Sequence, residues 1–425
     1  MAGRLGRAIV VVLAAATIAT WLQTAAATFL REVLGAEYWK WWLRDQILLS
    51  TAGYLMLFTV LGALPVLVHL LWPRRYPMAA LTGTLAGLAA FCGLLVFERI
   101  AWWAWLIVAT GAGLRVHHAL DSRPQSGWRW IRGIAVLGHA AAIVVFAVGT
   151  SRRMAAEAAS LAALPAAAPG APNVLLLVMD TERAESMSLY GAPDATPPRQ
   201  AAWGARGVVF DAAHSTAPWT LPSHASMFTG RYPSQTGADW TTPLDPSHPT
   251  MTEAFQAHGY STGGFVANIN YTGYRSGLAR GFAHYEDARW SLRQVLLSTT
   301  LTQSLSIVRA FEAWDLNDHW VGGTVRALWP PVVRHGGILT MHDIKLGEEV
   351  SADFLEWLPS VSGRPFFAFL NFMDAHEPYV PPMAYRTMFG GTGLVWDRYR
   401  GAIRYLDDTV DQLLAELDRR GLLES

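Results

Sequence analysis

Residues 217–231 read APWTLPSHASMFTGR and place a hydroxyl, Thr220, just before Pro222, with Gly230 at the far end. Proline in a first turn and glycine just past a last one predict a short helix between them. Thr220 then stands at a helix N-terminus, where unpaired backbone N–H groups and the dipole favour an anion or a developing alkoxide. A hydroxyl so placed suits attack on a phosphate or sulfate ester. Thr-x-Pro-Ser is equally an ordinary capped helix start, so the segment by itself leaves both readings open. His224, one turn further on, either works beside Thr220 or only caps its own helix. His214 and Ser223 read as packing or backbone-bonding residues.

Such a site needs elements that hold it. Residues 173–180, NVLLLVMD, form an apolar run too short for a membrane and bounded by Pro172, which fits a buried parallel strand. Residues 365–376, PFFAFLNFMDAH, make a second, and residues 263–268 a third. Helical patterns alternate with them, which predicts an α/β sheet whose functional groups gather beyond the carboxyl ends of the strands. Asp180 and His376 both fall there. Near the end of the chain Ile403, Leu406, Val410, Leu413 and Leu417 mark the apolar face of a last helix, on which Asp407 and Asp408 read as solvated or capping charges.

The first 150 residues differ. Charged residues are only 16% of the whole chain and are sparse here, and five apolar runs approach the roughly 20 residues a spanning helix needs. They lie at 8–30, 47–72, 78–97, 100–114 and 131–149, the fourth short enough to be an interfacial or re-entrant segment, with Trp102, Trp103 and Trp105 at one end. The first run is too long for a cleavable leader and is followed by further spans. Arg4, Arg7, Arg74, Arg75, Arg115, Arg123, Arg129 and Arg132 share one side if all five cross, against Arg31, Lys40, Arg44 and Arg99 on the other. The bias places the N-terminus in the cytoplasm and everything after Thr150 outside. The expected organisation is a membrane domain at 1–150, a linker at 151–172 whose part from 155 is rich in alanine and proline, and an α/β domain at 173–425.

Lysine plus arginine equal aspartate plus glutamate at 33 each, so no global basic field draws the chain to nucleic acid. One cysteine, Cys92, excludes an intrachain disulfide framework or a thiolate metal site, and in its apolar run it reads as filler.

The 217–231 segment resembles the sulfatase signature of the alkaline phosphatase superfamily. In that family a Cys or Ser nucleophile is followed by x-Pro-Ser-Arg-Ala and then Thr-Gly-Arg, and here Thr220, Pro222, Ser223, His224, Ala225, Thr229, Gly230 and Arg231 fall into register. NVLLLVMD with a following Tyr-Gly resembles the family's opening strand, whose metal-binding Asp carries over to Asp180. MDAHEPYVPP resembles its His-x-Pro segment, which makes His376 a contact to the ester group. GYSTGGFVAN, GFAHYED and YLDDTVDQLLAELDRRG also resemble family stretches, whereas residues 288–345 match nothing. The resemblance implies a divalent metal ion (Ca, Mn, Mg or Zn) held in part by Asp180 and Thr220, and a phosphate or sulfate ester substrate on a lipid or glycan. It also implies a covalent intermediate on Thr220, with His376 and His224 as acid, base or ester contacts.

The departures narrow the branch. Threonine cannot yield the formylglycine that true sulfatases make from Cys or Ser. Thr181 stands where a second metal-binding Asp often follows, His224 where the family has Arg, and Asn268 near its Gly-Lys-Trp lysine. With five spans and an external domain, the pattern is similar to membrane-anchored phosphotransferases such as lipoteichoic acid synthases and phosphoethanolamine transferases. The family's Asp-His ligand pair is expected just beyond the last helix, where this sequence stops. Asp318 and His319, its one Asp-His pair, read as an exposed turn. Two expectations follow: a fragment of a membrane-embedded ester hydrolase or transferase, or a non-catalytic protein that uses the same shell to bind a lipid headgroup or partner.

Overall fold

A computed structural model describes residues 2–33, 45–97, 100–192, 198–287, 292–304, 345–377, 379, 381–389 and 395–423. These fall into two compact units, one built from residues up to Arg153 together with 292–304, the other from 154–287 and 345–423.

All five apolar runs of the first unit are helical: α1 (Ala2–Glu32), α2 (Gln46–Leu71), α3 (Met78–Leu94), α4 (Trp102–Ser122) and α5 (Pro124–Ala162). Three of them, α1, α2 and α5, are long and apolar enough to cross a membrane, which narrows the expectation of five. The 17 residues of α3 rise about 26 Å, short of a hydrocarbon core of about 30 Å. The fourth apolar run is short, as expected, and its helix continues into the polar Arg115, His117, His118 and Asp121 at the end of α4. α3 and α4 pack backbone to backbone: a methyl on Gly83 would lie 2.7 Å from the Gly113 carbonyl, and one on Gly87 2.9 Å from that of Ala109. Small residues four apart on both helices permit that approach.

The described part of the segment that the sequence left unplaced, 292–304, belongs to this unit. The amides of Gln23 and Gln46 each donate to the Ser298 carbonyl at 2.7 Å, and Gln23 Oε1 accepts from the Tyr54 hydroxyl at 2.6 Å and from the Thr300 N–H at 3.0 Å. Among apolar helices each of these groups requires such a partner. The expected linker differs as well, since α5 continues to Ala162. Alanine favours helix, and the chain leaves it just before Pro165.

The second unit is a four-stranded sheet of β1 (Val174–Met179), β2 (Ser261–Val266), β3 (His284–Glu286) and β4 (Phe366–Phe372), all pairs parallel, in the order β1-β4-β2-β3. Side chains alternate across β4. Phe366, Ala368, Leu370 and Phe372 face the core shared with α8 (Gly347–Trp357) and α9 (Val395–Arg419), where Ile403, Leu406, Val410, Leu413 and Leu417 are all buried as their spacing requires. Phe367 and Phe369 face the opposite way, onto Phe255, Phe282 and Phe228. Phe228 and His224 belong to α7 (Thr220–Thr229), which follows α6 (Pro198–Gly204). Docking α7 on this face brings its start to the carboxyl edge of the sheet.

Candidate functional site

β1 delivers Asp180. Its N–H donates to the Phe372 carbonyl at 2.8 Å, adding one rung to the β1–β4 ladder before the chain turns away. The turn is made by Thr181 at φ +63°, a left-handed conformation that a β-branched residue adopts only under outside constraint. That constraint is visible: the Thr181 hydroxyl donates to the Ala375 carbonyl at 2.7 Å, and the Tyr399 hydroxyl donates to the Thr181 carbonyl at 2.9 Å. The Asp180 side chain is left 9% exposed.

Thr220 is the first helical residue of α7, after Trp219 in extended conformation, and Gly230 closes the helix at φ +67°. The Thr220 hydroxyl donates to Asp180 Oδ2 at 3.1 Å. Asn268, just past β2, donates from Nδ2 to the same oxygen at 3.1 Å and lies 3.4 Å from Thr220 Oγ1. Its amide orientation is set by the Tyr271 N–H, which donates to Asn268 Oδ1 at 3.2 Å, and its backbone N–H donates to Asn371 Oδ1 at 3.1 Å. His224 Nδ1 donates to the Thr220 carbonyl at 2.7 Å, which leaves the lone pair on Nε2, buried and without a partner among the described residues. Burial pushes the His224 pKa down against the upward pull of Asp180, so the ring stands neutral.

Asp180, Thr220 and His224 are thus brought together from three parts of the chain. His376 is not part of that cluster: it sits on the turn after β4 at the same edge of the sheet, its Nδ1 bonded to the Glu377 carbonyl at 2.9 Å. Ser223 bonds Ser215 at 2.8 Å, and His214 is exposed rather than packed. Asp407 accepts the N–H groups of Arg199 and Gln200, which makes it the cap of α6, and Asp408 pairs with Arg199 and Arg404. Asp318 and His319 lie outside the described residues. Reading the sequence noted Asn268 only for standing near the family's lysine and gave no role to Asn371. The signal for Asn371 was present, a lone amide in an otherwise apolar strand.

Two further carboxyls near these turns are held partly neutral. Burial pushes Glu182, two residues past Asp180, up to about 7, with Gln200 Nε2 donating to it at 3.2 Å. Burial likewise pushes Asp374 up to about 7, although the Gly347 N–H donates to it at 3.0 Å.

A hard divalent cation takes about six or more oxygen ligands. Asp180 and Thr220 offer one charged and one neutral oxygen side by side, whereas no group of three His, Cys, Asp or Glu among the described residues is placed to hold a metal. The pair fits one edge of such a site, and the described residues do not complete it.

Residues 172–425, more than half of the chain, match the family described as Sulfatase. The chain belongs to the sulfatase family. It is similar to N-acetylgalactosamine-6-sulfatase of Canis lupus familiaris, 36% identical over 94 residues that make up 22% of this chain and 18% of that protein. The Mus musculus protein of the same name is 24% identical over 279 residues, 62% of this chain and 50% of that one. These matches span half or less of the relatives' own length. Among solved structures, the phosphonate monoester hydrolase of Agrobacterium radiobacter aligns with a TM-score of 0.42 at 18% identity, over 59% of this chain and 60% of that one.

Proposed function

We propose that this protein is a membrane-anchored enzyme that cleaves or transfers a phosphate or sulfate ester, on a lipid or a glycan, through a covalent intermediate on Thr220. The observation that carries the reading is the Thr220 hydroxyl, 3.1 Å from the Asp180 carboxylate, at the N-terminus of a helix aimed at the carboxyl edge of a sulfatase-family sheet. Asp180 accepts the hydroxyl proton as the Thr220 oxygen bonds to phosphorus or sulfur, and the bond to the leaving oxygen breaks in line. The first N–H groups of α7, which have no partner within the helix, and the Asn268 amide would face the negative charge that accumulates there. His376 protonates the leaving oxygen or binds an ester oxygen, and the neutral His224 offers Nε2 as a base for the water or alcohol that releases the intermediate. A divalent ion held in part by Asp180 and Thr220 would supply a lowered hydroxyl pKa and charge neutralisation on the transferring group.

Thr220→Ala in the membrane-embedded protein tests the reading. Turnover of aryl phosphate and sulfate esters falls by about three orders of magnitude or more with little loss of stability, and Thr220→Ser retains part of it. A helix cap would behave oppositely, costing about 1 kcal/mol of stability and leaving turnover intact. That second outcome would favour a non-catalytic shell that binds a headgroup or partner.

A further inference from the structure

We propose that the helical unit holds one anionic phospholipid, its chain in a slot among α1, α3, α4 and α5 and its phosphate on Arg123. The slot is a cavity of about 350 Å³, within the range of about 300–1,000 Å³ usual for ligand pockets. Short side chains create it: Ala14 and Ala15 on α1, Ala86 on α3 and Ala119 on α4 line it, together with Ile131 of α5. Close-packed interiors do not leave apolar space of this size unfilled, and in a bilayer the available filler is hydrocarbon.

The polar end of the slot selects the lipid. Arg123 and Ser126, at the corner where α4 passes into α5, are its polar rim, and the Arg123 guanidinium has no ion-pair partner among the described residues. Charge at that end is one-sided. Arg7 stacks over Trp128 at 5.8 Å, which brings the start of α1 to the start of α5, and Gly83 lies against Gly113 and His117, which brings the start of α3 to the end of α4. Arg74 and Arg75 before α3, and Arg129 and Arg132 on α5, therefore gather with Arg123, against Asp121 as the acidic residue among these helix ends. A guanidinium binds a phosphate with two parallel hydrogen bonds, and an apolar slot beneath it takes the acyl chain. A free phosphate has no use for the slot, and a zwitterionic lipid gains less from the basic surround.

The full-length chain in detergent is titrated with dioleoyl phosphatidylglycerol, dioleoyl phosphatidylcholine and glycerol phosphate, with melting temperature and native mass spectrometry as readouts. Phosphatidylglycerol raises the melting temperature and persists as a one-to-one adduct, and the other two do neither. Arg123→Gln weakens that binding about tenfold or more, as the loss of one charge-assisted contact implies. Arg129→Gln, in the basic surround but outside the slot, weakens it several-fold less than Arg123→Gln does. Ala119→Phe and the milder Ala86→Leu, which fill the slot, abolish the adduct in whichever of them folds. Equal binding of phosphatidylcholine, an equal loss in Arg129→Gln, or phosphatidylglycerol retained by a folded slot-filling variant would each overturn the proposal.

Discussion

Asp374 shows how one buried carboxyl near the candidate site can be tested apart from catalysis. Its pKa is pushed from 3.8 up to about 7 by burial, so between those values the folded protein holds a proton that the unfolded chain has lost. Stability from this group is therefore present at low pH and withdrawn as pH rises through that window, by a few kcal/mol at most. Asp374→Asn keeps an oxygen for the Gly347 N–H and cannot ionise. Its stability relative to the parent should climb from pH 4 to pH 7.5 in denaturant titrations, and a flat difference would show that Asp374 ionises freely. The residue scale is also where sequence reading reached least far. Thr220 and Asp180 announced themselves through their segments. Asn268 stood out only for lying near the family's lysine, because a neutral amide in a loop has no spacing rule, and its contacts with Asp180 and Thr220 appear only when β4, between β1 and β2, brings the ends of those strands to one edge. His376 was singled out by its motif, yet its ring bonds the neighbouring Glu377 carbonyl rather than Thr220 or Asp180.

Elements were more legible, for reasons that follow from period and punctuation. The apolar stripe of α9 and the threonine, proline and glycine around α7 specified both helices, and the continuous apolar runs specified β1 and β4. β3 escaped because three residues, His284–Glu286, carry no pattern of their own and pair only where β2 presents an edge. The start of α6 illustrates a contact no local rule could supply. Pro198 begins it without an N–H to satisfy, and the next two N–H groups donate to Asp407, more than 200 residues away, at 3.1 Å and 2.8 Å. Asp407→Ala should cost about 1–2 kcal/mol, as loss of a helix cap does. Faster hydrogen exchange at residues 199–204, with Thr220-dependent turnover largely kept, is the expected signature. Unchanged protection there would mean that packing alone holds α6.

At the scale of the whole molecule the open quantity is the parity of membrane crossings, which decides the side on which the sulfatase domain works. α1, α2 and α5 each have the length and composition to cross. α3 and α4 run antiparallel, Gly83 against Gly113 and Gly87 against Ala109, with backbones too close for either helix to leave the other. We propose that they cross as a pair or not at all, which with the three long helices makes the total three or five, both odd. On that count the ends that carry Arg7, Arg74, Arg75 and Arg123 share one side, consistent with Arg7 resting on Trp128, and from the arginine bias we propose that this side is the cytoplasm. A reporter enzyme that works only outside the cytoplasm, fused after Gly170, should be active, and one fused after Arg75 should not. A fluorescent protein that fails to mature after export should show the reverse pattern. Fluorescence from the Gly170 fusion would mean an even number of crossings, which would break the α3–α4 pairing or remove one of the three long helices from the membrane, and would put the Thr220 site in the cytoplasm.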